Sequence, residues 1–263
     1  MDQSYKIQVM ADQDHQRMVD WAAAEGWNPG LQDIGCFRPT DPHGFWSGWI
    51  EGEMVASISV VNYEPGFAFL GFYIVAQAWR GQGYGLQLWQ RALEHAEVRV
   101  VGLDGVVDQQ DNYRASGFNL AYRNIRFGGV PSALVPSAVE GLELRALNTP
   151  DVSLEALDRQ VFPAPRGEFW KCWLQASGHV SFQALRDGNV LGFGTLRPCR
   201  HGFKVGPLVA ENQRVAEVIL AQLLGAVPQG SEVFLDVPEP NGAAVALAQM
   251  LGWQPGFETA RMY

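Results

Sequence analysis

One glycine-rich run has the composition of a site that binds a negatively charged group. The run RGQGYG occupies residues 80–85, between a strand-like segment at 67–75 and a segment of helical spacing at 83–97. Glycines let a phosphate approach the backbone, and the N–H groups and dipole of a helix N-terminus attract an anion. The run therefore predicts a pyrophosphate-binding turn, which we favour over a flexible glycine turn.

A dinucleotide-binding turn is a second interpretation of this run. Such a turn follows a first strand directly and needs a third glycine at the position of Leu86, whereas this run follows three strand-like segments in succession. Asp104 does lie near the position of a ribose-binding acid, which keeps this alternative open.

The elements that precede the run favour an α+β fold. Residues 5–10 alternate as in a strand, and the apolar positions that follow, up to Ala22, have helical spacing. Segments 45–50 and 54–62 flank a Glu-Gly-Glu turn and predict a hairpin. The aromatic and β-branched segment 67–75 adds a third consecutive strand.

Three further elements are predicted after the helix that follows the run. Residues 98–107 form a strand, 113–118 form a short helix that ends at Gly117, and 122–127 form a strand that is expected to close the first unit. The first unit therefore combines a sheet with flanking helices.

A weak internal repeat predicts two copies of this fold. Two prolines and two serines make 130–140 a linker between a first unit, 1–129, and a second unit, 141–263. Residues 186–190 of the second unit resemble 50–54 of the first, and other short matches recur in the same order.

The first unit resembles the GNAT acetyltransferase superfamily. The family signature Arg/Gln-x-x-Gly-x-Gly/Ala is matched by Arg80, Gly83 and Gly85, and YRASGF at 113–118 matches the family element Tyr-x-x-x-Gly-Phe. The stretch 102–113 and the C-terminal Arg-Met-Tyr also resemble two-domain members. The resemblance implies tandem GNAT folds, each a mixed, mostly antiparallel sheet flanked by helices, with a catalytic first domain and a degenerate second domain.

The resemblance also implies direct attack of an amine on acetyl-CoA, without a covalent acyl-enzyme. The residues that it implies for acetyl-CoA binding are Tyr73, Ile74, Val75, Arg80, Gly81, Gln82, Gly83, Tyr84 and Gly85. Tyr113 matches the tyrosine that protonates the leaving thiolate in many members. The other interpretation of Tyr113 is an anchor for the short helix.

The sequence offers more than one candidate for the general base. An ammonium group with a pKa of about 10.4 has to lose a proton before it can attack a thioester. The strand 67–75 lacks the glutamate that many family members carry there, so Asp104, Glu64 and a chain of water molecules all stay open. We select Asp104 as the candidate catalytic residue, against an alternative in which it only caps or pairs.

The acceptor amine is expected to contact one loop and the second unit. Asp41 and His43 lie in the loop 37–44, where family members shape the acceptor pocket, although a plain surface loop is the alternative. Asp236 is the third predicted contact. Residues 211–217 stand in place of the run and contain no glycine, so we expect the second unit to bind no CoA and to wall the acceptor pocket.

Composition limits the partners and the location. The net charge of -9 argues against nucleic acid as a partner, and no stretch reaches the roughly 18 apolar residues of a membrane helix. The three cysteines lack paired spacing, so we expect no disulfide framework, no zinc site and no other metal site, in a reducing compartment. With no secretory signal at the start, these features predict a cytoplasmic protein.

These observations predict an N-acetyltransferase that uses acetyl-CoA and acts on a small-molecule amine or a protein amino group. The first alternative is a non-catalytic acyl-CoA-binding regulatory module. The second is a two-domain interaction protein whose glycine-rich run at 80–85 is vestigial and binds no CoA. The acceptor and the acyl length are not specified by the sequence, and a homodimer stays open as the assembly.

Overall fold

The computed structural model describes residues 5–263. Its strands are β1 (Lys6–Val9), β2 (Phe45–Ile50), β3 (Glu53–Tyr63), β4 (Phe67–Val75), β5 (Val100–Val106), β6 (Leu120–Gly129), β7 (Glu143–Ala146), β8 (Val180–Arg186), β9 (Asn189–Pro198), β10 (Phe203–Ala210), β11 (Val233–Pro238) and β12 (Gln254–Met262). Its α-helices are α1 (His15–Ala24), α2 (Asp33–Phe37), α3 (Tyr84–Glu94), α4 (Gln110–Ala115), α5 (Val152–Asp158), α6 (Gly167–Trp173), α7 (Gln213–Leu224) and α8 (Gly242–Met250). The predicted α+β class is confirmed.

The strands of the described chain form one continuous sheet. Their order is β1-β2-β3-β4-β5-β12-β6-β11-β10-β9-β8-β7. The neighbours β4 and β5 are parallel, as are β10 and β11, and the other neighbouring pairs are antiparallel. Each half of the sheet thus repeats the same arrangement, with one parallel pair in each.

The two units exchange their last strands at the centre of the sheet. β6 of the first unit pairs with β11 of the second, and β12 of the second unit pairs with β5 of the first. The strand predicted at 122–127 exists, but it does not close the first unit against β5, so that expectation is wrong. Alternation along a strand specifies its buried face and not the strand that it pairs with.

The exchange makes the two halves depend on each other. Residues 130–140 form neither a helix nor a strand, as a linker would. The units 1–129 and 141–263 stay predicted boundaries, but each of them relies on a strand from the other to complete its sheet.

Amphipathic helices cover the sheet and fix the position of the run. α3 buries Leu88, Trp89 and Ala92 in a cluster with residues of β3, β4 and β5. In the second unit, α7 buries Val215 and Ile219 in the corresponding position. The predicted helix at 83–97 is therefore anchored by its apolar face, and its N-terminus is left at the end of β4.

A short helix, α2, forms within residues 28–44, a segment whose Gly, Pro and Asp content predicts a loop. Its first residue, Asp33, accepts a hydrogen bond from the Gly30 N–H at 3.0 Å and one from Arg197 Nε at 2.9 Å. A five-residue helix is too short to show a hydrophobic period, and contacts with the second unit hold it in place.

Candidate active site

β4 and β5 separate part of the way along their length. Their parallel pairing ends at Leu70 and Leu103. Phe72 then adopts a positive φ of 49°, and the register between β4 and β3 shifts at the same point. This β-bulge turns the end of β4 away from β5. Within the described chain, the backbone of 73–75 has no strand partner on the β5 side, which leaves an open cleft for an extended ligand.

The turn after β4 presents free backbone donors. Gly81 and Gly83 have φ values of 75° and 84°. α3 begins directly afterwards and has no side-chain cap, and the N–H groups of residues 81–83 have no backbone acceptor in the described structure. A Cβ atom at Gly83 would meet nothing within 4 Å, so the space in front of the turn is open. An uncapped helix N-terminus behind such a turn suits a phosphate.

Gly85 and Arg80 have roles that differ from those of the two preceding glycines. A Cβ atom at Gly85 would lie 2.6 Å from the Tyr73 hydroxyl and 2.8 Å from Val75 Cγ2, so this glycine lets α3 pack closely on β4. Arg80 Nε donates to the Val75 carbonyl at 2.8 Å, and its other end pairs with Glu25. Arg80 thus braces the end of the strand, and its contact with a phosphate stays a prediction.

Tyr113 reaches the cleft from α4. Its ring stacks on Trp89 at a centroid distance of 5.6 Å and packs against the backbone of Gly105, where a Cβ atom would lie 2.4 Å from the ring. Burial, with a smaller effect of Tyr73, raises the pKa of Tyr113 to about 12. Tyr113 therefore carries its proton at neutral pH, as a proton donor has to.

Asp104 also reaches the cavity in front of the cleft, but its oxygens are occupied. Arg261 donates to its two carboxylate oxygens at 2.7 and 2.9 Å, and Asn124 adds a third hydrogen bond at 2.8 Å. Arg261 is not among the site residues selected from the sequence, although it belongs to the C-terminal Arg-Met-Tyr. The exchange of strands explains why, since Arg261 lies opposite Asp104 only because β12 pairs with β5.

A cavity of 260 Å³ lies beside Tyr113 and the bulge. Much of its wall is aromatic, and the rings belong to Trp27, Phe37, Phe45, Tyr63, Phe69, Phe72, Tyr73, Tyr113 and Phe257. Asp236 lines it from β11, together with Arg126, which donates two hydrogen bonds to that carboxylate at 2.6 and 2.9 Å. The cavity therefore brings together four of the residues selected from the sequence: Tyr73, Tyr113, Asp104 and Asp236.

Asp41 and His43 lie outside this cavity. Asp41 is buried, and it accepts hydrogen bonds from the backbone N–H groups of His43 and Asn62 at 3.1 and 2.8 Å. His95 Nε2 lies 2.7 Å from the same carboxylate. Asp41 therefore ties its loop to β3 and α3, while His43 is exposed. The structure gives these two residues no place in the cavity wall.

The second unit contains a corresponding cleft with a different end. The pairing of β10 with β11 stops at Val205, and the two strands border a cavity of 580 Å³. Pro207 provides no N–H group at the bulge. At the start of α7, the Asn212 side chain accepts a hydrogen bond from the Val215 N–H at 3.2 Å. This helix N-terminus is already capped, which supports the prediction that no CoA binds here.

A buried lysine lines the cavity of the second unit. Lys204 is 5% exposed, and its ammonium donates to the Asn28 carbonyl at 3.1 Å and lies 4.0 Å from Asp236. Burial, opposed in part by the charge of Asp236, lowers the pKa of Lys204 to about 8. The native state thus loses this proton at a lower pH than the unfolded state does.

Lys204→Met is therefore expected to change how stability depends on pH. Between the pKa of about 8 that Lys204 has in the folded state and its higher value in the unfolded state, the unfolded state binds more protons. The free energy of unfolding of the wild type therefore increases relative to that of the variant as pH rises. This relative increase in the free energy of unfolding cannot exceed about 1.4 kcal/mol per pH unit. Urea unfolding of both proteins at pH 7, 8, 9 and 10 measures it. Parallel pH curves for the two proteins would contradict the assignment.

Two cysteines are paired, contrary to the sequence-based expectation. Cys36 of α2 and Cys172 of α6 form a disulfide with a Cα–Cα distance of 5.2 Å across 136 residues of sequence. Sequence spacing did not reveal the pair because the packing of α2 on α6 brings it together. Cys199 is free and buried. The cysteines thus no longer argue for a reducing compartment. Across residues 5–263 no group of three metal-ligating side chains converges.

Comparisons with known proteins place both units in one family. A profile described as "Acetyltransferase (GNAT) family" matches residues 8–118, and one described as "Acetyltransferase (GNAT) domain" matches residues 154–263. Holothin acyltransferase from Pseudoalteromonas sp. (strain SANK 73390) is 36% identical over 244 residues, which cover 93% of this chain and 82% of that protein.

Solved structures show the same tandem fold. A proposed acetyltransferase from Pyrococcus horikoshii superposes with a TM-score of 0.81 at 23% identity, covering 99% of this chain and 89% of that one. A tandem GNAT protein from the clavulanic acid biosynthesis pathway superposes with a TM-score of 0.70 at 17% identity, covering 98% of each chain. In the part of the chain that the structure describes, no helix has the length and apolar character to cross a membrane.

Proposed function

Because this chain belongs to the GNAT family of acyltransferases, we propose that it is an N-acetyltransferase that transfers an acetyl group from acetyl-CoA to a primary amine. The observation that carries the proposal is the convergence of three features at the end of β4: an open cleft, a turn with free N–H groups and a protonated tyrosine. The second unit lacks this combination, so the reaction is assigned to the first unit.

The residues of the first unit suit an acyl-CoA. The backbone of 73–75 would bind the extended pantetheine arm, and the N–H groups of residues 81–85 would bind the pyrophosphate. The donor supplies a thioester, whose carbonyl carbon accepts a nucleophile. Tyr73 lies in the part of β4 that has no pairing with β5, where its hydroxyl faces Gly85 and its ring packs on Trp89 at a centroid distance of 5.1 Å.

Tyr113 is the proposed general acid. When the amine nitrogen attacks the thioester carbonyl, the C–S bond breaks and the thiolate takes the phenol proton of Tyr113. The aromatic stacking of Tyr113 on Trp89 fixes the direction of its hydroxyl group. Direct transfer of this kind needs no nucleophilic side chain, and no covalent acyl-enzyme is formed.

The small aromatic cavity favours a small-molecule amine over a protein amino group as the acceptor. The relative named holothin acyltransferase supports acyl transfer, and we extend to this chain only that reaction type. Asp236 of the second unit contributes to the cavity wall, in accord with the proposed role of that unit. The use of a CoA thioester is the remaining support for a cytoplasmic location, and a homodimer stays an open proposal.

Calorimetric titration of acetyl-CoA into the intact chain tests the proposal, together with an assay for free thiol over a panel of amines. The intact chain is needed because the two units share strands. We expect binding at one site and release of CoA thiol with at least one amine. Binding without turnover across the panel would favour a regulatory acyl-CoA-binding module, and two binding sites would contradict the assignment to the first unit alone.

A further inference from the structure

Every carboxylate that lines the 260 Å³ cavity is already held by an arginine. Asp104 accepts two hydrogen bonds from Arg261, and Asp236 accepts two from Arg126. The planar fork of an arginine matches both oxygens of a carboxylate, and such bidentate pairs are the strong form of ion pair. The two negative charges of the cavity are thus matched by two positive ones.

The other titratable groups of the cavity are equally unsuited to accept a proton. The titratable and charged side chains of its wall are Tyr63, Tyr73, Asp104, Tyr113, Arg126 and Asp236. Burial raises the pKa of each of the three tyrosines. Burial alone would raise the pKa of Asp236, but hydrogen bonds from Arg126 and the charges of Lys204 and Arg126 hold it below its usual value. No histidine of the described chain lines the cavity.

An alkylammonium acceptor would meet two obstacles in this cavity. With a pKa of about 10.4, only roughly one alkylamine molecule in a few thousand is unprotonated at pH 7, and no wall residue is free to take the proton from the rest. A cation entering the cavity also finds no unpaired carboxylate, while the Lys204 ammonium lies 4.0 Å from Asp236. Burying an unpaired charge is costly, so the cation is excluded from the reacting position.

On the premise of the proposed acetyl transfer, we infer that the acceptor is a weakly basic aromatic amine, with its amino group on a conjugated ring and uncharged at neutral pH. Such an amine needs no general base before it attacks. Its flat ring also fits the aromatic wall, where Trp27, Phe72 and Phe257 offer faces and edges for stacking. The missing base and the aromatic wall therefore point to the same class of acceptor.

The reaction balances without a basic side chain. The nitrogen lone pair forms the C–N bond to the acetyl carbonyl, the C–S bond breaks, and Tyr113 donates its proton to the sulfur. The nitrogen becomes strongly acidic once it carries the acyl group, so its surplus proton passes to water, and Tyr113 regains a proton from solvent. The products are the acetylated aromatic amine and free CoA thiol.

Two matched pairs of amines test the inference: aniline against benzylamine, and 4-methylaniline against 4-methylbenzylamine. The members of each pair differ by one methylene group, which separates the nitrogen from the ring. We expect kcat/KM at pH 7 to favour the ring-bound amine by about 100-fold or more, with a flat pH profile from 6 to 9. The alkylamine profile should rise with pH, by about tenfold per unit as long as the pH stays well below the pKa of the alkylamine.

Direct titration of each amine into the acetyl-CoA-loaded and the free protein, followed by tryptophan fluorescence, provides a readout that does not depend on turnover. We expect the ring-bound amines to bind more tightly at pH 7. Equal or better turnover of the alkylamines at pH 7, or tighter binding of them, would overturn the inference. Failure of acetyl-CoA itself to bind would instead contradict the proposed function, so the two failures are distinguishable.

Discussion

Gly83→Asp is expected to weaken acetyl-CoA binding by about 100-fold or more, which corresponds to nearly 3 kcal/mol. Gly83 precedes α3, and the space in front of it is open. A carboxylate placed there would accept hydrogen bonds from the free N–H groups of the helix N-terminus, and its charge would repel a pyrophosphate. Titration calorimetry on the folded variant measures the loss. An affinity within about threefold of the wild-type value would show that this turn does not bind the pyrophosphate.

Gly52→Asp is the matched control for this change. Gly52 lies in the β2–β3 turn with a φ of 83°, against 84° at Gly83, and a Cβ atom at either position meets nothing within 4 Å. Both variants thus carry the same change of charge and a comparable backbone cost, which Asp tolerates better than most residues. Equal losses of affinity in both variants would indicate a general effect of charge or strain rather than a blocked phosphate site.

The local elements around the turn could be predicted from the sequence because each has its own signal. The hairpin is specified by a Glu-Gly-Glu turn between two strand-like segments, and α3 by a run of helical spacing that begins after glycines. The GNAT signature then selected Gly83, and the family element Tyr-x-x-x-Gly-Phe selected Tyr113, as candidate site residues. The structure brings Tyr113, Asp104 and Asp236 to one cavity, which places two of the selected carboxylates beside the proposed acid.

The neighbours of these residues could not be predicted because they depend on strand pairing. The sequence contains no signal that β12 inserts beside β5, yet this pairing supplies Arg261 to Asp104 and so takes away its free oxygens. The same reasoning applies to Arg126, which meets Asp236 only because β6 pairs with β11. A carboxylate that is a candidate base in isolation thus becomes half of an ion pair in the exchanged sheet.

Tyr113→Phe is expected to lower kcat by about 10²-fold or more while the affinity for acetyl-CoA stays unchanged. Without the phenol proton, the thiolate has to leave as an anion or take its proton from water. The variant should fold normally, because the hydroxyl of Tyr113 has no hydrogen-bond partner in the described chain and the ring keeps its contacts with Trp89 and Gly105. A steady-state assay for free thiol gives kcat, and calorimetry gives the affinity for acetyl-CoA.

The choice of leaving group separates an acid from an anchor. If Tyr113 protonates the sulfur, an acyl donor with a more acidic thiol needs that proton less, so the ratio of wild-type to variant kcat should shrink toward one. If Tyr113 only anchors α4, every acyl donor should lose the same factor, since a displaced helix affects all of them alike. The wild-type enzyme should also keep its rate through pH 9, because burial raises the pKa of Tyr113 to about 12 and the phenol stays protonated over that range. A constant ratio across leaving groups would assign Tyr113 to positioning and leave protonation of the thiolate to water in the cleft.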